Sequence, residues 1–286
     1  MTVRDAIAEA SNSIARRDAE VLLAHVLRRN HAWLLAHGEV PLDPAQSAAF
    51  LALLRRRAEH EPLQYLTGVQ EFYGLPLRVT PDTLIPRPET EHLVEAVLAW
   101  ATAQPVTRPV TQPLRILDVG TGTGAIAIAL AKHLPSTEIL ACDLSPAALT
   151  VARENARTNL VSVHFVESDL LAAFAGAAPF DAIVSNPPYV PSGYAAEMQP
   201  EVRDYEPHLA LFAGPDGLDL YRRLIPQAHA ALRRGGLLAM EIGFRQRDEL
   251  ALLLQDWANV RFVDDYAGTP RVALAEKRWA ARPAGS

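Results

Sequence analysis

Apolar side chains early in the chain recur three, four or seven positions apart, with Val3, Ile7 and Ile14 on one face and Leu22, Leu23, Val26 and Leu27 on another. That is the spacing of short amphipathic helices that pack together. Asp43-Pro44-Ala45-Gln46 predicts a further helix start, with a capping acid, a proline at the first helical position and a glutamine able to reach back, ahead of Phe50, Leu53 and Leu54. The last helix of this group is expected to end near Gly68. The period then changes. EFYGLPLRVT sets a glycine between two extended segments and predicts a hairpin. In LIPRPETEHLVEAVLAW, Pro86 and Pro88 force extended backbone, and Glu89, Glu91 and Glu95 favour the early turns of a helix carrying Leu93, Val94, Val97 and Leu98. Residues 101–113, rich in proline and threonine, read as a surface connection.

From Arg115 onward strand-like and helix-like segments alternate: RILDVG, a helix from Ala125, EILACD, a helix after Pro146, VHFVESD and FDAIVS. A helix over 218–232, GGLLAMEIG, another helix and strands near 260–266 and 271–276 follow. This is an α/β pattern: an open, mostly parallel sheet covered by helices on both faces. Ligands in such folds sit beyond the carboxyl ends of the strands, where Gly120, Asp143, Asp169 and Asn186 fall.

Composition narrows the chemistry. The chain has 286 residues, 49% of them hydrophobic, enough for one large core and a smaller unit or for two modest domains. Twenty-seven basic and thirty-three acidic residues give a net charge of −6, so there is no general attraction to nucleic acid or to anionic membranes. Arg55, Arg56 and Arg57 read as a solvated helix face. Cys142 is the one cysteine, expected inside a strand, and the nine histidines show no metal-ligand spacing. No metal, no membrane span and a cytoplasmic location are expected.

Asp118-Val119-Gly120-Thr121-Gly122-Thr123-Gly124-Ala125 follows the first strand of the alternating region and opens its helix, so the backbone can turn tightly against a ligand. Asp143 ends the next strand, nineteen positions beyond Gly124, where it could hold a ribose's hydroxyls. Nicotinamide cofactors and S-adenosylmethionine both contain ribose. Asp118 favours the second, because a carboxylate near the turn would repel a pyrophosphate and attract a ligand of net charge +1; at roughly 5–7 Å and an effective dielectric near 20 this is worth a few kcal/mol. The alternative is that Asp118 only hydrogen-bonds the turn. Asp169 could reach an adenine edge, or simply cap the next segment.

The buried run at 182–184 stops at Asn186-Pro187-Pro188-Tyr189. The prolines explain the stop. They do not explain an asparagine before them and an aromatic after them at the edge where the cofactor should lie. Methylation of a planar NH2, as in a carboxamide or an adenine amine, would use all four residues. Such a nitrogen is a poor nucleophile; accepting its two hydrogens with the Asn186 side chain and a proline carbonyl would aim its lone pair and stabilise the developing positive charge. Tyr189 offers a flat face for the planar group.

These residues resemble the HemK/PrmC family of release factor glutamine methyltransferases over nearly the whole chain. The resemblance rests on EFYGLPLRVTPDTLIPRPETEHLVE, LDVGTGTGAIAIAL, SNPPYVP and EPHLALFAGPDGLDLYRRL. LIPRPETE is the most specific of these stretches, since Asn-Pro-Pro-Tyr is shared with adenine-methylating DNA enzymes. The resemblance implies a helical substrate-recognition domain over 1–67, a hairpin linker over 68–84, a class I methyltransferase (Rossmann-like) domain over 85–280 and a tail over 281–286. It implies a seven-stranded sheet whose last strand is antiparallel. It also implies S-adenosyl-L-methionine as cofactor, S-adenosyl-L-homocysteine as product, and the glutamine of Gly-Gly-Gln in bacterial class I peptide chain release factors 1 and 2 as substrate, with a monomeric enzyme. Carried over by position, the cofactor site is Gly120, Thr121, Gly122, Thr123, Gly124, Asp143, Asp169, Leu170 and Asn186. Leu170 stands where some relatives have tryptophan, giving apolar cover rather than an aromatic stack. Asn186, Pro187 and Tyr189 would be catalytic; Asn186, Pro187, Pro188, Tyr189, Arg87 and Glu89 would meet the substrate. Residues 190–216 would form a partner-binding flap. An adenine-specific nucleic-acid methyltransferase is the nearest rival, ahead of a nicotinamide dehydrogenase and of a non-catalytic binding module.

Overall fold

The computed structural model describes residues 1–104 and 113–278; most of the proline-rich connection and the tail over 281–286 lie outside the described residues. The chain forms two compact units, one comprising Met1–Val69 with Met198–Tyr205 and the other Gln70–Glu197 with Glu206–Ser286.

In the first unit, five helices, α1 (Val3–Ala10), α2 (Arg16–Leu27), α3 (His31–Ala36), α4 (Pro44–Ala58) and α5 (Leu63–Thr67), bury Val3, Ile7, Leu22, Leu23, Leu34 and Phe50. Helix α4 starts as its sequence predicts: Asp43 accepts the Gln46 N–H and the Gln46 side chain accepts the Asp43 N–H, satisfying two otherwise orphaned donors. Helix α5 stops at Gly68, in the left-handed region. Helix α1 ends before Ile14, which packs against the core from the turn that follows. Arg57 departs from the solvated face expected for it. Its guanidinium is part-buried between Asp18 at 2.7 Å and Glu201 at 2.5 Å. Glu201 lies on a later helix, α9 (Pro200–Tyr205), whose Tyr205 hydroxyl donates to the Glu59 carbonyl. Residues 198–205, which the resemblance places inside the domain over 85–280, therefore belong to the helical unit.

Strands β1 (Val69–Phe72) and β2 (Leu75–Arg78) pair through Tyr73 and Gly74, both at positive φ, the geometry of a primed two-residue turn. A 3-10 turn, Pro88–Thr90, leads into helix α6 (Glu91–Thr102). The alternating region follows as β3 (Arg115–Val119), α7 (Ala125–His133), β4 (Glu138–Asp143), α8 (Pro146–Thr158), β5 (His164–Glu167) and β6 (Phe180–Ser185). It closes with α10 (Asp219–Ala231), β7 (Leu232–Glu241), α11 (Arg247–Leu253), β8 (Ala258–Asp264) and β9 (Pro270–Glu276).

The seven strands from β3 onward are ordered β5-β4-β3-β6-β7-β9-β8, and only β9 runs against the others. This is the sheet that the sequence resemblance implies. Two apolar layers cover it: α6 and α7 bury Val94, Val97, Ile126 and Leu130 on one face, while α10 and α11 bury Tyr221, Leu224 and Leu250 on the other. Strand order reverses between β3 and β6, so a crevice opens beyond their carboxyl ends. Asn155 of α8 ties the hairpin to that crevice: it accepts the Arg78 N–H and donates to the carbonyls of Arg78 and Thr123. Among the described residues no helix is long and apolar enough to cross a membrane.

Candidate active site

The crevice is a cavity of about 290 Å³. Its floor is the glycine turn. Gly120, Gly122 and Gly124 all have positive φ, which L side chains adopt at a cost. A Cβ at Gly120 or Gly122 would meet nothing within 4 Å, whereas at Gly124 it would come within 2.9 Å of Ile128 and 3.2 Å of Ala152. The first two glycines therefore leave room for a ligand, and the third lets α7 pack against α8. The turn is fixed by the Cys142 carbonyl, which accepts the N–H groups of Gly120 and Thr121.

Asp143 lines the cavity. Its carboxylate accepts N–H bonds from Gly122 at 2.8 Å and Ser145 at 2.9 Å. Burial raises its pKa and these bonds oppose the rise. A carboxylate has about four lone-pair sites, so acceptor capacity remains for a diol. Leu170 supplies an apolar wall with Leu144, Ala148 and Leu220. Leu170 also adopts a positive φ of 49°, unusual for a residue with a side chain, and its carbonyl accepts the Cys142 thiol. Cys142 is fully buried in β4, as its place in an apolar strand predicts.

One sequence expectation needs correction. Asp118 does not face the ligand space. It is wholly buried under the turn, where Oδ2 accepts the Thr121 hydroxyl at 2.6 Å and the Ala127 N–H at 3.3 Å, while Oδ1 has no partner among the described residues. Burial pushes its pKa up to about 7. Its charge is thus suppressed by the same burial that lets it hold the turn, and it supplies no dependable field to a cofactor. Asp169 lines the cavity and its carboxylate is paired with Arg223 at 2.7 Å. The cationic side chains on the wall are Arg87 and Arg223, and Arg87 is itself held by the buried Glu206 at 2.5 Å. A pyrophosphate would find both cations already paired, whereas a carboxylate with spare acceptor capacity and an apolar wall suit S-adenosylmethionine.

Asn186, Pro187 and Pro188 stand on the same wall. Strands β3 and β6 are locked in register there, Val119 opposite Ser185, and the Ser185 hydroxyl donates to the Val119 carbonyl at 2.7 Å. Asn186 therefore emerges level with Gly120. Tyr189 is not on the cavity wall. Its hydroxyl donates to Glu241 Oε1 at 3.2 Å, and its carbonyl accepts the Gln246 side-chain amide at 3.1 Å. Its ring, half-buried, packs against the apolar cluster on the face that α10 covers, and these contacts anchor the segment after the prolines. Arg87 borders the cavity; Glu89 lies in the 3-10 turn beside it and not on the wall. The segment 190–216 folds back at its base, where Val190 and Leu211, Val190 and Ala213, and Ser192 and Gly214 share backbone hydrogen bonds.

Thr90 and Glu241 escaped the sequence reading. Thr90 sits on the wall and donates to Glu241 Oε2 at 2.6 Å, and Asn186 Nδ2 donates to Thr90 Oγ1 at 3.1 Å. Glu241 is fully buried, and burial raises its pKa. A lone carboxylate in the apolar run LLAMEIG was the signal available, because a buried charge has to be held by partners.

A seven-stranded sheet with one reversed strand, opening at its switch point onto a glycine turn, an acidic strand end and an Asn-Pro-Pro shoulder, defines a class I methyltransferase. Solved structures share the fold: a methyltransferase from Pyrococcus furiosus matches with a TM-score of 0.53 at 18% identity over 79% of this chain and 99% of that one. A human methyltransferase 10 domain containing protein matches with a TM-score of 0.51 at 19% identity over 72% and 90%. Family models for the PrmC N-terminal domain and the methyltransferase small domain match residues 2–68 and 106–199. Proteins named release factor glutamine methyltransferase are similar along most of the chain: 45% identical in Moorella thermoacetica (97% of this chain, 99% of the relative), 44% in Koribacter versatilis (92% and 91%) and 44% in Escherichia coli (95% and 96%). The chain belongs to the release factor glutamine methyltransferase family and is an S-adenosylmethionine-dependent enzyme.

Proposed function

We propose that the protein methylates the side-chain amide nitrogen of the glutamine in the Gly-Gly-Gln tripeptide of class I peptide chain release factors 1 and 2, acting as a monomer in the cytoplasm. The observation that carries this reading is the placement of Asn186, Pro187 and Pro188 on one cavity wall with Gly120, Gly122 and Asp143.

Asp143 would accept the hydroxyls of a ribose, the turn from Gly120 to Gly124 with Thr121 and Thr123 would pass under the rest of the cofactor, and Leu170 would cover its base, with Asp169 at the rim. When bound, S-adenosylmethionine supplies a methyl group made electrophilic by a sulfonium. Asn186 Oδ1 and a carbonyl of the proline pair accept the two amide hydrogens of the glutamine. That fixes the nitrogen's orientation and stabilises its positive charge as its lone pair is withdrawn from the amide. The prolines keep these oxygens stiff. The amide proton turns acidic only as the new bond forms, so no strong base is needed beforehand. Tyr189 holds the shoulder from behind, and Arg87 and Glu89 border the side from which a tripeptide would arrive.

The test is transfer of tritium from labelled S-adenosylmethionine to a purified class I release factor, to the same factor with its tripeptide glutamine replaced by alanine, and to DNA. Label on the intact factor alone is expected. Label on DNA alone would turn the assignment to an adenine methyltransferase.

A further inference from the structure

The Asn186 amide could present either its oxygen or its NH2 to the cavity, and only the oxygen can accept a substrate N–H. Three bonds behind it bear on that choice. Asn186 faces Thr90 Oγ1 at 3.1 Å, Thr90 faces Glu241 Oε2 at 2.6 Å, and Tyr189 donates to Glu241 Oε1 at 3.2 Å. Thr90 has one hydroxyl hydrogen. While Glu241 is ionised it has none to give, so Thr90 donates to Glu241 and can only accept from Asn186. Asn186 then commits its NH2 to Thr90, and its Oδ1 is bonded to no group among the described residues.

We infer that Thr90 and Glu241 are positioning residues that set the polarity of the Asn186 amide, so that its oxygen is the atom offered to the substrate. The inference rests on the proposed amide chemistry and goes beyond it by assigning the orientation to Thr90, at the cavity wall, and to the buried Glu241 behind it. Protonation of Glu241 would remove the constraint: the acid could donate to Thr90, Thr90 could donate to Asn186 Oδ1, and the NH2 would face the cavity. The groups surrounding that carboxylate are Thr90, Tyr189, Arg271 of β9 and Glu89; burial and Glu89 favour protonation, and Thr90, Tyr189 and Arg271 oppose it. The Tyr221 hydroxyl binds the Glu241 backbone carbonyl at 2.8 Å and fixes the strand end independently of charge.

The experiment uses the full chain with a release factor as substrate. Thr90→Val keeps the side chain's shape and removes the hydroxyl; Thr90→Ser restores it. For Thr90→Val, cofactor affinity by calorimetry should stay within about threefold, while kcat falls about tenfold to a hundredfold, as for loss of a group that orients a catalytic contact. KM for the release factor should change little, and Thr90→Ser should recover most of the rate. The wild-type kcat should fall on the acid side, and Thr90→Val and Glu241→Gln should flatten that limb. Wild-type kcat in Thr90→Val would overturn the inference, as would a rate loss matched by equal losses of cofactor affinity and melting temperature, which marks a structural role. If the wild type leaves the release factor unlabelled, the substrate assignment has failed instead. The relay is then read without substrate from the Asn186 side-chain amide NMR signal, which should shift in Thr90→Val and on acid titration; an unmoved signal would dismiss the relay.

Discussion

Asp143 accepts the Gly122 N–H at 2.8 Å, so the carboxylate assigned to the ligand's ribose also braces the turn beneath it. Asp143→Ala should weaken S-adenosylmethionine binding by about 1–3 kcal/mol, the loss typical of a charged hydrogen bond. Calorimetry reads this directly. Equal affinity would remove the ribose role, and a fall in melting temperature with unchanged affinity would leave Asp143 only the turn.

Asn186→Ala separates binding from transfer. Cofactor affinity should stay within several-fold, while single-turnover methyl transfer drops by about a hundredfold or more, the usual penalty for removing a charge-stabilising contact. Unchanged turnover would take the asparagine out of the mechanism.

The glycines of the turn should divide by the space around them. Gly124→Ala combines a φ of 83° with an approach of 2.9 Å to Ile128, and left-handed backbone with overpacking costs about 2–4 kcal/mol in all. Gly122→Ala, where a Cβ meets nothing within 4 Å, should cost only the backbone share, about 1–2 kcal/mol, yet impair cofactor binding by projecting into the cavity. Thermal melts paired with calorimetry distinguish the two; similar melting temperatures would contradict the packing difference.

Asp118 has a pKa of about 7 in the folded protein against 3.8 as the ordinary value. The folded state therefore binds more protons than the unfolded state between these values. The contribution from Asp118 is full below about 4 and is lost as pH rises through about 7. Asp118→Asn keeps an acceptor for Thr121 and carries no charge, so its melting temperature relative to wild type should improve from pH 5 to pH 8, by several degrees for about 2–3 kcal/mol. A difference independent of pH would show that the carboxyl does not titrate in that range.

The parts of this protein written locally in the sequence were readable there. EILACD and FDAIVS coincide with β4 (Glu138–Asp143) and β6 (Phe180–Ser185) because fully buried parallel strands are short apolar runs bounded by breakers. Asn186, Asp143 and the glycines line the crevice because they stand where strands end and loops begin, a local property of the sequence. The polarity of Asp118 was visible, but its burial depends on how α7 returns over β3. Thr90 and Glu241 are 151 positions apart, and no pattern of period two or 3.6 reports a hydrogen bond at that separation. The same holds for Tyr189: its place after the prolines is local information, the carboxylate that captures its hydroxyl is not.

Because α9 (Pro200–Tyr205) is built into the helical unit through Glu201 and Tyr205, truncation at a single boundary cannot divide this protein cleanly. A fragment ending at residue 69 would leave Arg57 without its Glu201 counterion. The complementary fragment would carry an orphaned helix in the middle of its longest excursion. Domain-exchange or deletion work on this enzyme should treat both crossings as one cassette.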